Sequence, residues 1–262
     1  LDPPMDAVLQ GGSVAPELLP CDHDTPTVDL AACTFGSPTA PTRIIIAGDS
    51  EGVSYAGPLR EIAMKSGGKV QVVSMALAAC SFTAELIQSA TPAPSCEARK
   101  RYVVDAINAT KPSIVVISNL YRLHKAVGSD RRMSPGEWAD SMRRIINEFR
   151  PSTGTVVFMP GPPGEVNIKD CFGKRTNVPA DCIGRVNAQW NDMATIDDKI
   201  AHEIGGVWLD SRPWFCNSDR FCPSFAGSTA TKADEFHIAP AYGSKIYPVM
   251  AESFREAGVP LG

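Results

Sequence analysis

Between Arg43 and Leu209 short, continuous apolar runs alternate with amphipathic stretches of helical period. This is the pattern of parallel strands buried on both faces by crossover helices. The runs predict strands over Arg43–Gly48, Val70–Met75, Ser113–Ser118, Thr155–Met159 and Gly206–Leu209, a small doubly wound five-stranded parallel sheet. Helix signals lie between and after them. Ser134-Pro135-Gly136-Glu137 combines an N-cap serine, a proline at the first helical position and a glutamate three residues after the cap, and Trp138, Met142, Ile145 and Phe149 follow at helical spacing. A longer helix is expected from Ile183 to Ile204, with Ile183, Val186, Trp190, Met193, Ile196, Ile200 and Ile204 as a core-facing stripe. Val53 to Lys65 and Ala241 to Ala257 complete the set. Residues 1–41, rich in Pro, Asp and Thr, carry no sustained period and read as an irregular extension ahead of one domain over 42–262.

Charge narrows the possible partners. The 262-residue chain has a net charge of -4 and a pI near 5.6, which leaves no basic surplus to neutralise phosphates, so nucleic acid is not an expected partner. Arg99-Lys100-Arg101 and Arg131-Arg132 read as solvated faces. No apolar stretch reaches the eighteen or so residues that span a bilayer, so this chain is expected to be soluble. It begins at Leu1 without a signal peptide, which suggests a processed protein or a piece of a longer one.

Eight cysteines fall into four close sequence pairs: Cys21 with Cys33, Cys80 with Cys96, Cys171 with Cys182, and Cys216 with Cys222. Local disulfides are the expectation, each loop of about fifteen residues contributing roughly 3 kcal/mol by restricting the unfolded chain. Such usage implies an oxidising compartment. No CxxC-like spacing supports zinc, and neither a metal nor a cofactor is expected.

Candidate chemistry sits at two ends of the sheet pattern. Gly48-Asp49-Ser50 follows the first apolar run, and Asp234-Glu235-Phe236-His237 precedes the last helix. A serine hydroxyl needs a base in reach, and the base needs an orienting partner. Ser50 as nucleophile, His237 as base and Asp234 as orienter make a complete acyl-transfer set. Ser50 also reads as a helix N-cap, and the two roles are compatible. His23, His124 and His202 have surface or capping explanations. The Ser50 N–H, a backbone N–H in the turn after the second strand (Ala78 to Cys80) and the Asn119 amide are candidates for the oxyanion hole. Trp214 and Phe215 are candidates for sugar stacking, with loop packing as the alternative.

These blocks resemble the SGNH (GDSL) hydrolase superfamily over about 43–262, which implies a flavodoxin-like three-layer α/β/α sandwich. The Cys21–Cys33 arm with Cys33-Thr34-Phe35-Gly36-Ser37-Pro38, the Ala79-Cys80-Ser81 turn, and the stretch from Leu209-Asp210 through Cys216 and Cys222-Pro223 to Asp234-x-x-His237 are similar to the extracytoplasmic SGNH domain fused to acyltransferase-3 membrane proteins. That resemblance implies Ala79 as the second-block oxyanion donor, O-acylation, acetylation first, of a cell-envelope glycan, an upstream membrane acyltransferase domain as covalent partner, and a location on the extracytoplasmic face. Three departures stand out. Glu51 replaces the usual histidine after the nucleophile, where an acceptor contact is expected, Ala79 replaces a glycine, and Ser118-Asn119-Leu120-Tyr121 replaces Gly-x-Asn-Asp. A secreted carbohydrate or lipid esterase with the same triad, and a non-catalytic glycan-binding domain, remain alternatives.

Overall fold

The computed structural model describes residues 1–88, 93–172 and 176–262. Its central sheet contains β1 (Thr34–Gly36), β2 (Thr42–Gly48), β3 (Val70–Ser74), β4 (Ile114–Ser118), β5 (Thr155–Phe158) and β6 (Val207–Trp208), in the order β1-β3-β2-β4-β5-β6. The five expected strands are present and parallel. The extension adds a sixth, because β1 pairs antiparallel with β3, Phe35 opposite Val72. The count of five therefore becomes six in a mixed sheet, and the extension is less irregular than its composition implies.

Five longer helices flank the sheet: α1 (Ser50–Lys65), α2 (Cys96–Thr110), α3 (Pro135–Asn147), α4 (Ala188–Ile204) and α5 (Pro240–Glu256). Every residue of β4 is buried, so the helices cover both faces, as a continuous apolar strand requires. The expected cap of α3 forms a capping box, Ser134 accepting the Glu137 N–H while Glu137 accepts the Ser134 N–H. On the opposite layer contact, α5 crosses α1 closely: a Cβ on Gly243 would meet the Pro58 ring at 3.2 Å. This crossing brings the start of α5 beside the middle of α1.

One boundary is corrected. The helix expected from Ile183 begins at Ala188, capped by Asn187, whose side chain accepts the Trp190 N–H at 2.8 Å. Ile183–Arg185 instead pairs antiparallel with Phe221–Pro223, and Ile183 is 41% exposed rather than core. The apolar spacing runs across the cap by coincidence of a strand residue with the helical stripe. All four expected disulfides are formed: Cys21–Cys33, Cys80–Cys96, Cys171–Cys182 and Cys216–Cys222.

Candidate active site

The end of β2 is built for close approach. A Cβ on Gly48 would lie 1.8 Å from the Ser118 carbonyl oxygen, and its φ of +143° is one that side chains rarely adopt; only glycine lets β2 and β4 run together to this corner. Asp49 follows and caps α1, accepting the Glu51 N–H at 3.0 Å. The same carboxylate accepts the Ser81 hydroxyl and the Leu120 N–H, each at 3.0 Å. Asp49 thus ties together the loops after β2, β3 and β4. Burial pushes its carboxyl up, against the pull of those donors. Ser50 is the first residue of α1 and only partly buried, so its N–H and those after it form the positive end of the helix.

In the loop after β3, Leu77 N–H donates to the Gly48 carbonyl at 3.1 Å and Cys80 N–H to the Leu77 carbonyl at 3.1 Å. The Ala78 N–H donates to Asp22 of the amino-terminal arm at 2.9 Å. Ala79 turns in the left-handed region at φ +58°, and no acceptor among the described residues takes its N–H. Asn119 is differently occupied. Its Oδ1 accepts the Phe82 N–H at 2.9 Å, which fixes the amide orientation, and its Nδ2 lies 3.6 Å from Met142 Sδ.

The other half of the site is a turn ahead of α5. Asp234 Oδ1 accepts the N–H groups of Phe236 (2.8 Å) and His237 (2.9 Å), and Oδ2 accepts His237 Nδ1 at 2.7 Å. A carboxylate only accepts, so Nδ1 carries a proton and Nε2 is the ring nitrogen left to take up or release the other. Nε2 is buried with no hydrogen-bond partner among the described residues. Burial raises Asp234, but His237 outweighs it and holds the carboxyl down at about 2. Burial alone lowers His237; the bond to Asp234 and the negative charges of Glu51, Asp234 and Asp49 win and lift it to about 9. Glu51 and Asp49 flank Ser50, so two of the three charges acting on the imidazole come from the segment that carries the serine.

Several side chains invisible as site residues in the sequence hold this turn. Lys232, 1% exposed, donates its Nζ to the carbonyls of Gly164 and Glu235, joining the loop after β5 to the turn. Burial lowers it to about 8. Phe236 stands edge-on to His237 with ring centroids 6.5 Å apart, and Arg122 lies over the Phe236 ring at 5.0 Å. A lysine in a Thr-Lys-Ala stretch and a phenylalanine in a turn carry no signal of their own; only the fold gives them one.

Three expected contact residues take other places. Trp214 and Phe215 are 3% and 4% exposed. Trp214 bonds Ser253 at 3.0 Å and meets Tyr55 edge-on at 6.1 Å, while Phe215 packs on Tyr242 at 5.8 Å. They brace α5 against α1, the packing alternative, and offer no face to a sugar. Glu51 is 1% exposed and is likewise out of an acceptor's reach.

A family model described as "SGNH domain (fused to AT3 domains)" matches residues 20–252. The chain belongs to the SGNH domain family. No curated protein sequence matches this SGNH domain. Among solved structures, the periplasmic domain of a lipopolysaccharide acetyltransferase from Salmonella ser. Paratyphi A superposes with a TM-score of 0.65 at 14% identity, covering 97% of this chain and 93% of that one. The native aryl esterase of M. smegmatis superposes with a TM-score of 0.52 at 14% identity, covering 82% and 99%. At such identities these likenesses establish the fold that the SGNH domain shares with them.

Proposed function

We propose that this SGNH domain is a serine O-acyltransferase that moves a short acyl group, acetyl first, onto a hydroxyl of a cell-envelope glycan. It works on the extracytoplasmic side as part of a protein whose upstream portion is a membrane acyltransferase domain. The observation that carries the chemical part is the orientation of His237: Nδ1–H is fixed on Asp234, so Nε2 is the ring nitrogen left to exchange a proton, under the charges that flank Ser50. Family membership supports the membrane partner, and four disulfides support the oxidising side.

Ser50 Oγ attacks the donor's carbonyl carbon while its proton passes to His237 Nε2. The tetrahedral oxyanion is met by N–H groups already in place, those of Ser50 at the positive end of α1 and of Ala79 in its left-handed turn. Asn119, whose amide serves Phe82 and Met142, supports the hole by holding the loop that carries Ala79. Collapse expels the donor's leaving group with the proton from Nε2 and leaves acyl-Ser50. A sugar hydroxyl then attacks, gives its proton to Nε2, and Ser50 regains it as the product ester departs.

Turnover of a small acetyl ester by the protein and by Ser50→Ala tests the triad. The variant should lose about a thousandfold or more in rate and all labelling by a serine-directed phosphonate. Equal inertness of both proteins, with no label on Ser50, would overturn the enzyme reading. Adding a methyl glycoside as acceptor separates transfer from hydrolysis: acetylated glycoside is expected, and release of acetate alone would make the domain an esterase.

A further inference from the structure

The loop after β3 turns through Leu77-Ala78-Ala79-Cys80, closed by the Cys80 N–H donating to the Leu77 carbonyl at 3.1 Å. Ala79 is the third residue of this turn, and a φ of +58° there marks the kind of turn that ordinarily takes glycine. A side-chain-bearing residue stays in such a conformation only where its surroundings over-determine it. Four ties do so here. Leu77 N–H is fixed on the Gly48 carbonyl, Ser81 donates its hydroxyl to Asp49, Cys80 is joined to Cys96 at the start of α2, and the Ala78 N–H donates to Asp22 Oδ1 at 2.9 Å. The last acts on the middle of the turn, and its acceptor comes from the amino-terminal arm. Both sides of that hydrogen bond are also set covalently: Cys21, just before Asp22, is joined to Cys33, and Cys80 follows Ala79 directly. Arg99 laces the same two segments together, donating to the carbonyls of Met75 and Ala76 ahead of the turn and of His23, Thr25 and Thr27 after Asp22.

We propose that Asp22 is a positioning residue for acyl transfer: its carboxylate holds the Ala78 N–H, so that the next N–H, that of Ala79, stays presented to the acyl carbonyl. The inference rests on the acyl-transfer reading, in which the Ala79 N–H meets the oxyanion. The middle of the turn carries two consecutive N–H groups, and Asp22 takes the first. The second has no acceptor among the described residues. A donor stabilises an oxyanion to the extent that it is in place before the charge develops. The competing arrangement is a rotation of the peptide between Ala78 and Ala79 that brings Ala79 to a negative φ, relieves its strain and swings its N–H away. A charge-assisted hydrogen bond on Ala78 is strong enough to offset such strain. Glycine holds a positive φ without help; with alanine in its place, the corner needs a clamp, and the arm supplies it.

Steady-state kinetics and one NMR signal test this. Asp22→Ala should lower kcat for a small acetyl ester about tenfold or more, a share of the roughly hundredfold that loss of one oxyanion donor costs, with KM changed by no more than about twofold. Asp22→Asn, which keeps an accepting oxygen at the same reach, should restore most of that rate. Adding Ala79→Gly to Asp22→Ala should also recover part of it, because glycine keeps the turn unaided. A brace that served stability alone would lower Tm in Asp22→Ala and leave kcat of the folded protein unchanged, and that result would overturn the proposal. The Ala79 amide proton, followed by NMR in the phosphonate adduct of Ser50, should move downfield on labelling of the unsubstituted protein and move less in Asp22→Ala; equal shifts, or none in either protein, would also overturn it. Should Asp22→Ala not fold, Asp22→Ser, too short to reach the Ala78 N–H, takes its place with the same two expected losses, and their absence rejects the clamp. The two readings fail separately: full turnover in Ser50→Ala sinks acyl transfer through Ser50, whereas an inactive Ser50→Ala beside a fully active Asp22→Ala sinks the role of Asp22 alone.

Discussion

Ala79 holds a left-handed conformation at φ +58° that glycine adopts freely. A non-glycine residue there costs about 1–2 kcal/mol, part of which glycine would return through its greater unfolded-state freedom. Ala79→Gly should therefore stabilise the protein by roughly 0.5–1 kcal/mol in urea denaturation, with acetyl-ester turnover retained. Glu51 makes a second residue-scale prediction. Its folded pKa of about 8 lies above the ordinary 4.5, so the native state keeps a proton that the unfolded chain releases. Stability then falls as pH rises across that window. Glu51→Gln should gain on the unsubstituted protein between those limits, measured as the difference in Tm. Contacts within a few residues, such as Asp234 with His237 and Asp49 with the start of α1, are legible in the sequence because the spacing itself creates them. The buried state of Glu51 is not, since it depends on Gly161, a residue 110 positions away supplied by another loop.

At the scale of elements, long apolar runs and caps are the legible part. The strands carry consecutive β-branched residues and α3 carries its capping box, both local signals. The start of α4 is hidden because Ile183 and Val186 continue the helical spacing while the chain is still extended. What stops the helix is tertiary: Gly184 sits against Gly164, with room for no side chain, and Asn187 supplies the cap. Asn187→Ala should cost about 1 kcal/mol, read as a lower urea midpoint at unchanged slope. Arg99 is the least legible of all, since it sits in a basic run that reads as solvated. It is 1% exposed, and its guanidinium donates to the carbonyls of His23, Thr25 and Thr27 in the arm and of Met75 and Ala76 after β3. Arg99→Met should leave those acceptors unpaired and cost about 3 kcal/mol or more. It should also slow turnover, because the segment leading into the Ala79 turn loses one of its two anchors to the arm, the Ala78–Asp22 bond remaining.

For the whole molecule, four closed disulfides and no free cysteine imply a non-reduced mass eight hydrogens below the all-thiol value. Eight alkylatable thiols in the native protein would contradict an exported origin. The outermost strands of the sheet carry a different consequence. β1 is three residues long and β6 two, so both margins offer little backbone on which a second chain can add. The arm supplies one of those margins. Without β1, the sheet would end on the five residues of Val70–Ser74, a longer run of unpaired N–H and C=O groups. The short strand that the arm lends to the fold thus doubles as a guard against self-association, and a protein cut back to Thr42 should be recognised first by its tendency to aggregate.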